Sequence, residues 1–122
     1  MREIADIPEI PDRATRLAET TVDCCGREEE LTAFEVYLSD ALRPPFAATW
    51  RDPDEPGHAV PVTVLGVADL DERRGILLQV QRRGRKARRV SAEQLWATKT
   101  PSPNAIVLDD YRAWVEQDDL NY

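Results

Sequence analysis

Histidine occurs once (His58), cysteine twice (Cys24 and Cys25) and glycine five times in this chain of 122 residues. The side chains of adjacent cysteines diverge, so the pair is not expected to bridge. With one histidine it cannot furnish the four Cys and His ligands of a structural zinc site. Both cysteines read as small residues at the end of a strand, in a reducing compartment. No apolar run approaches the ~18 residues of a membrane span. The opening Met1-Arg2-Glu3-Ile4-Ala5-Asp6 carries charge where a signal peptide is apolar, so a cytoplasmic location is expected. The chain has no Gly-rich phosphate loop, no Gly-x-Ser-x-Gly elbow and no Cys-to-His pairing suggested by spacing. His58 stands in a Pro and Gly loop and reads as a solvated side chain. These absences argue against an enzyme.

What is abundant is charge: 16 Lys and Arg against 23 Asp and Glu, a net charge of −7, with 32% of residues charged and 42% hydrophobic. That apolar content suits one modest core, hence one domain. Residues 1–14 hold Pro8 and Pro11 and read as an extended arm, 15–118 as the single domain, and 119–122 as a frayed tail. Three Thr and one Val over residues 15–23 favour a first strand. Over residues 27–42, Leu31, Phe34, Leu38 and Ala41 recur at helical steps, and Glu28, Glu29 and Glu30 sit in the first turn, where negative charge suits the dipole. Arg43-Pro44-Pro45 stops that helix. Strands follow at 46–50, 60–67, 76–81 and 86–90. Pro61 is admissible near an edge or a strand start, Asp69-Leu70-Asp71-Glu72 is an acidic connector, and Arg82-Arg83-Gly84-Arg85 is a hairpin turn. Residues 91–95 read as a short helical turn. Ser102 is expected to cap a last helix with Pro103 in its first position, and Val107, Tyr111, Trp114 and Val115 to share its face.

Five short strands with no room for crossover helices predict a small antiparallel barrel or curled sheet of the α+β class. One helix enters between the first and second strands and another closes the chain.

Two surface features of opposite sign remain. Between Arg73 and Arg89 stand eight basic residues and no acid, which leaves 8 basic against 23 acidic residues elsewhere, a balance of −15. A basic hairpin could follow a phosphate backbone or an acidic protein. The stretch holds no Trp, Tyr or Phe to stack on bases, and the acidic remainder repels a polyanion, so nucleic acid is disfavoured as a partner. The acids lie in the first helix, the 52–55 and 69–72 loops and the last helix. Neither acidic loop has EF-hand spacing: residues 52–63 end on Thr63 where a bidentate Glu is needed, and Asp69-x-Asp71 continues into Arg73 and Arg74. A calcium site here must be composite.

The order of short motifs resembles that of the small cyanobacterial-type calcium-binding protein family. It runs through Val22-Asp23, Glu28-Glu29, Tyr37-Leu38-Ser39-Asp40-Ala41-Leu42 and Pro45-Phe46-Ala47-Ala48. It continues with the strand at 62–68 and its acidic sequel at 69–72, Val90-Ser91-Ala92-Glu93-Gln94-Leu95, Ala105-Ile106, and Asp110-Tyr111-Arg112-Ala113-Trp114. The resemblance spans roughly residues 15–115. It implies a Src-homology-3-like barrel with flanking helices that binds Ca2+ on a concave acidic surface, a monomeric calcium buffer or sensor with a protein partner in the second case. Glu28, Glu29 and Asp40 match acids of the family's helix, and Asp71 and Glu72 match acids of its loop. Asp69 falls where the family often has proline. Arg73 and Arg74 replace further acids and oppose a cation. Asp40, Asp69, Asp71 and Glu72 are therefore the expected metal ligands, with Glu28 and Glu29 secondary. Glu29 and Asp40 lie about 20° apart around the helix but ~16 Å apart along it, too far to share one ion.

Overall fold

The computed structural model describes residues 10–54, 57–71 and 73–120, with side chains as far as 117. The first nine residues of the arm, Glu72 of the acidic connector and the last two residues of the tail lie outside the described residues. Three helices, α1 (Arg13–Thr20), α2 (Arg27–Ala41) and α3 (Pro103–Leu120), accompany five strands, β1 (Phe46–Arg51), β2 (Ala59–Asp71), β3 (Gly75–Gln81), β4 (Arg88–Ser91) and β5 (Leu95–Ala97). Among the described residues no helix is long and apolar enough to cross a membrane.

The core follows from two periodicities. In β2, Val60, Val62 and Val64 are buried while Pro61, Thr63 and Leu65 face out, the alternation of a half-covered strand. In α2, Leu31, Phe34 and Leu38 are buried at three- and four-residue steps. Phe34 lies at the centre, with ring centroids of Trp114 at 5.0 Å, Tyr111 at 5.9 Å and Tyr37 at 6.2 Å. Pro61 is tolerated because β2 pairs with β3 only from Thr63 onward, which leaves one side of the strand at Pro61 without a partner strand.

The strand order is β4-β3-β2-β1-β5, antiparallel throughout. Sequential β4 and β5 thus occupy opposite edges, joined by the 3-10 turn Ala92–Gln94. Three linking residues reach only ~10 Å, so the edges must have rolled toward each other. The Arg88 guanidinium makes the same point. It lies 4.6 Å from the centre of the Trp50 ring, although β4 and β1 would stand ~14 Å apart in a flat sheet. Register shifts in β2 between Val64 and Gly66 and between Val67 and Asp69 supply the bend.

Three expectations are corrected. The sheet curls but is not closed into the Src-homology-3-like barrel, since β4 and β5 share no ladder. Residues 15–23 do not form a first strand: α1 runs through most of them, so two helices precede every strand and none lies between the first and second. The side chain of Asp12 accepts from the Thr15 N–H and caps α1, and the Thr20 and Thr21 hydroxyls donate to the carbonyls of Arg16 and Leu17. Hydroxyls bonded back to the preceding turn remove much of threonine's objection to a helix. The acidic connector is likewise ordered sheet as far as Asp71, the end of β2.

Candidate metal centre

Asp69 and Asp71 stand two residues apart at the end of β2, opposite Leu77 and Gly75, in a stretch of regular register that puts both on one face of the sheet. Asp71 Oδ1 accepts from the backbone N–H groups of Arg73 and Arg74, each at 2.8 Å. Those two hydrogen bonds, from Arg74 and then Arg73, hold the carboxyl below the usual carboxylate range, and the two guanidinium charges add to them. Asp71 Oδ2 has no such bond among the described residues. Asp69 Oδ1 accepts from Leu70 N–H, and its Oδ2 pairs with Arg89 Nη1 at 3.5 Å. Both side chains of that pair are more than half exposed, so it is a weak contact.

The turn from β2 to β3 is clamped onto α3. Gly75 has φ +76°, and a Cβ there would stand 2.2 Å from the Tyr111 hydroxyl. That hydroxyl accepts from Ile76 N–H at 3.1 Å. Only glycine satisfies both the left-handed backbone and the close approach.

The acids of α2 divide between its ends. Gly26 caps the helix, and Glu29 reaches back so that Oε2 accepts from Cys25 N–H, a side chain already employed in holding the helix start. Glu30 Oε1 accepts from Trp114 Nε1 at 3.4 Å. Glu28 is exposed beside them. Asp40 is exposed in the last turn, where its carbonyl accepts from Arg43 Nη1, and the Arg43 N–H donates to Asn104 Oδ1. Helix α3 acts as a ruler. Arg43, three residues after Asp40, meets α3 at Asn104, and the start of β3 meets it at Tyr111. Glu30, held to Trp114, is only one turn of α3 from Tyr111. The structure brings Asp69 and Asp71 together at the end of β2, places Asp40 in the last turn of α2, and places Glu28 and Glu29 in its first turn. Among the described residues no three His, Cys, Asp or Glu side chains converge as a finished cation cage. The donors fit calcium in kind, being hard carboxylate oxygens, one of them unengaged. The remainder of the roughly six to eight oxygens a calcium ion takes would have to come from elsewhere.

Sequence reading missed the best-ordered polar cluster. Asp110, fully buried, accepts from Arg16 Nε at 2.6 Å, Arg16 Nη2 at 2.9 Å and the Tyr37 hydroxyl at 2.7 Å, while Arg13 pairs with neighbouring Asp109. Burial, then the hydrogen bond to Asp110, pushes the Tyr37 hydroxyl well above its ordinary value. The signal was present: Asp110 falls three residues after Val107 and four before Trp114, an acid inside the apolar stripe. This cluster joins α1 to α3 and is a structural joint.

Each tryptophan carries an arginine. Arg88 covers Trp50, Arg27 lies 5.1 Å from the Trp114 ring, and Arg51 and Arg112 lie 4.4 and 4.2 Å from Trp96. Burial lowers the Arg112 pKa, and its Nη2 donates to the Leu95 carbonyl. Of the basic stretch, Arg88 is thus committed to packing and Arg89 to Asp69. Cys24 and Cys25 are free thiols in the link between α1 and α2 instead of at a strand end. Burial, then the charges of Glu29 and Glu30, raises the Cys24 pKa.

A curled antiparallel sheet roofed by helices, with two carboxylates on one face at a strand end, makes this a small α+β domain. The family model for calcium binding of the CcbP type matches residues 15–115, and the chain belongs to that family. A calcium-binding protein solved in its calcium-binding form is similar in fold, with a TM-score of 0.73 and 22% identity over 87% of this chain and 90% of that one. The crystal structure of Anabaena CcbP is similar with a TM-score of 0.71 and 22% identity, over 94% and 95% of the two chains. No curated protein sequence matches.

Proposed function

We propose that this chain carries out its family's calcium binding at the β2–β3 turn, through the carboxylates of Asp69 and Asp71. Glu72, next in the chain, is the third carboxylate expected from the sequence. Asp40, in the last turn of α2, is the further donor expected to join them, and Glu28 and Glu29 act at the periphery or at a second position. The observation that carries the reading is the family match over residues 15–115. The location is supported by two carboxylates on one face of β2, one with an oxygen uncommitted among the described residues, beside the Gly75 and Ile76 backbone anchored to Tyr111. When bound, calcium supplies positive charge; the chain's part is to hold the two carboxylates together against their mutual repulsion. Arg73, Arg74 and Arg89 oppose the ion, so the affinity is modest and the role is that of a buffer or a sensor responding to large calcium rises. The test is calorimetric titration of three variants. Asp71→Asn is informative because an amide oxygen can still accept from the Arg73 and Arg74 N–H groups, preserving the turn while removing the charge. Asp69→Asn and Asp71→Asn are expected each to weaken calcium binding at least tenfold and Glu28→Gln less than threefold, on the basis that a ligand charge carries more than a peripheral one. Equal losses for all three, or none for the first two, would place the site elsewhere.

A further inference from the structure

We propose that the β3–β4 hairpin is a docking surface for an acidic protein segment, and that the Asp69–Arg89 ion pair lets calcium strengthen that docking. The second half rests on the calcium site proposed above. The hairpin tip is a built feature. Arg85 N–H donates to the Arg82 carbonyl, Gln81 Nε2 donates to the Arg85 carbonyl, and Gly84 takes φ +74° after a residue of negative φ, the pattern of a type II turn. Arg83, Arg85 and Lys86 are exposed on it, and among the described residues they have no ion-pair partner. Three exposed cations at one turn, in a chain that is −15 outside residues 73–89, form a local positive end on a negative body. Such a body repels an extended polyanion along most of its surface and admits a short acidic segment at the tip. The cations are mostly arginine, whose planar fork grips carboxylates with two hydrogen bonds. The stretch has no aromatic residue to stack on bases, which favours a peptide over a nucleic acid.

Coupling to calcium follows from the position of Arg89. It stands in β4 three residues beyond Lys86, a span of at most ~10 Å, about a Debye length at physiological salt. Its guanidinium is held by Asp69, and its carbonyl accepts from Arg74 Nη2 at 3.4 Å, so the strip of positive charge runs back to the β2–β3 turn. An ion on Asp69 and Asp71 adds two positive charges beside that strip and competes with Arg89 for Asp69. The pair is exposed and weak, so a divalent ion displaces it readily. Calcium thereby turns a neutralised arginine into a docking group.

The experiment is fluorescence anisotropy of a labelled Glu-rich peptide against the full chain, with and without calcium at fixed ionic strength. A single-stranded DNA of equal charge is run beside it, and calcium binding is followed separately by calorimetry. Calcium is expected to tighten peptide binding about two- to fivefold, the range an exposed ion pair can supply. Calcium held by the peptide itself lowers the probe's charge and works against that rise. Asp69→Asn frees Arg89 without metal, so it should bind the peptide at the calcium-loaded level and respond no further. Reversal of Arg83, Arg85 and Lys86 to Glu should abolish binding in both states while leaving the calcium heat in place. If calorimetry shows no calcium heat, the calcium site fails, and tighter metal-free binding by Asp69→Asn still supports the docking surface. Unchanged binding on charge reversal, or tighter binding of the DNA than of the peptide, overturns the proposal.

Discussion

Asp110 shows what one buried charge does when every oxygen is used. Its carboxylate takes two hydrogen bonds from Arg16 and one from Tyr37, and its side chain has no exposure. A pair desolvated on both sides stabilises little relative to an apolar replacement, but removing one partner strands the other. Asp110→Asn is therefore expected to destabilise the fold by about 3–5 kcal/mol in urea denaturation. A loss below 1 kcal/mol would mean that Arg16 finds water instead. The same cluster sets an alkaline limit. Burial raises the pKa values of Tyr37 and Tyr111 above their ordinary 10.0. A raised pKa means that the folded state retains its proton where the unfolded chain has lost it. The contribution is complete below the unfolded value and is lost as pH rises toward the folded one. Stability should thus fall as pH rises above about 10, and Tyr37→Phe should flatten that fall, read as the urea midpoint against pH. An unaltered slope in the variant would show that Tyr37 titrates as a free phenol. Gly75→Ala makes a third case, since a methyl group 2.2 Å from the Tyr111 hydroxyl must push the turn off α3. A drop in melting temperature of several degrees is expected, consistent with about 1–3 kcal/mol for an overpacked contact in a small domain.

Among the elements, α1 is the least secured by packing. It buries no residue fully and is tied down through Arg13 and Arg16 to Asp109 and Asp110. Asp110→Asn should therefore raise amide hydrogen exchange in α1 before it affects β3, whose Ile76, Leu78 and Val80 are fully buried. Uniform protection across both would mean that α1 is held by something other than its arginines. The weak packing of α1 also explains why the sequence misleads there. Residues 15–23 carry threonine at positions where propensity favours a strand, and the deciding contacts come from residues about 94 positions away. No local pattern contains them. Helix α2, by contrast, was legible because its own stripe of Leu31, Phe34 and Leu38 is what packs. Ser102, expected as the cap of α3, does accept from Ala105 N–H at 3.1 Å. Strand β5 was illegible for another reason: at three residues, Leu95–Ala97, it is too short to display a period, and only its pairing with β1 makes it a strand. Closure failed for a related one. Whether rolled edges meet depends on bulges in β2, which leave no mark in residue type beyond Gly66.

At the scale of the whole molecule the governing fact is the separation of charge, since a chain of net −7 keeps a positive strip beside the acids at the end of β2. The acidic positions of the candidate site come from the family resemblance, and the structure adds that Asp69 and Asp71 share one face. Their setting was not legible, because the end of α2 and the start of β3 are each fixed against α3, through Asn104 and Tyr111, far away in sequence. That arrangement sets two opposing effects on calcium. The net charge draws the ion in, whereas Arg73, Arg74 and Arg89 at the turn oppose its final approach. At ~6 Å and an effective dielectric of 80 to 20, each such cation costs a bound divalent ion roughly 1–5 kcal/mol before salt screening. Screening and water reduce this to a fraction, so replacing Arg73 with Gln should strengthen calcium binding about three- to tenfold. The backbone N–H of residue 73, which supports Asp71, is unaffected by that change. The gain should also appear as stability. A ligand that binds only the folded state at a hundred times its dissociation constant adds about 2.7 kcal/mol. At one fixed sub-saturating calcium concentration, Arg73→Gln should therefore melt higher than the parent chain, and magnesium, which sheds its water reluctantly, should reproduce little of that difference. If both ions raise both proteins equally, the effect is general neutralisation of a −7 chain, and the turn is not where calcium sits.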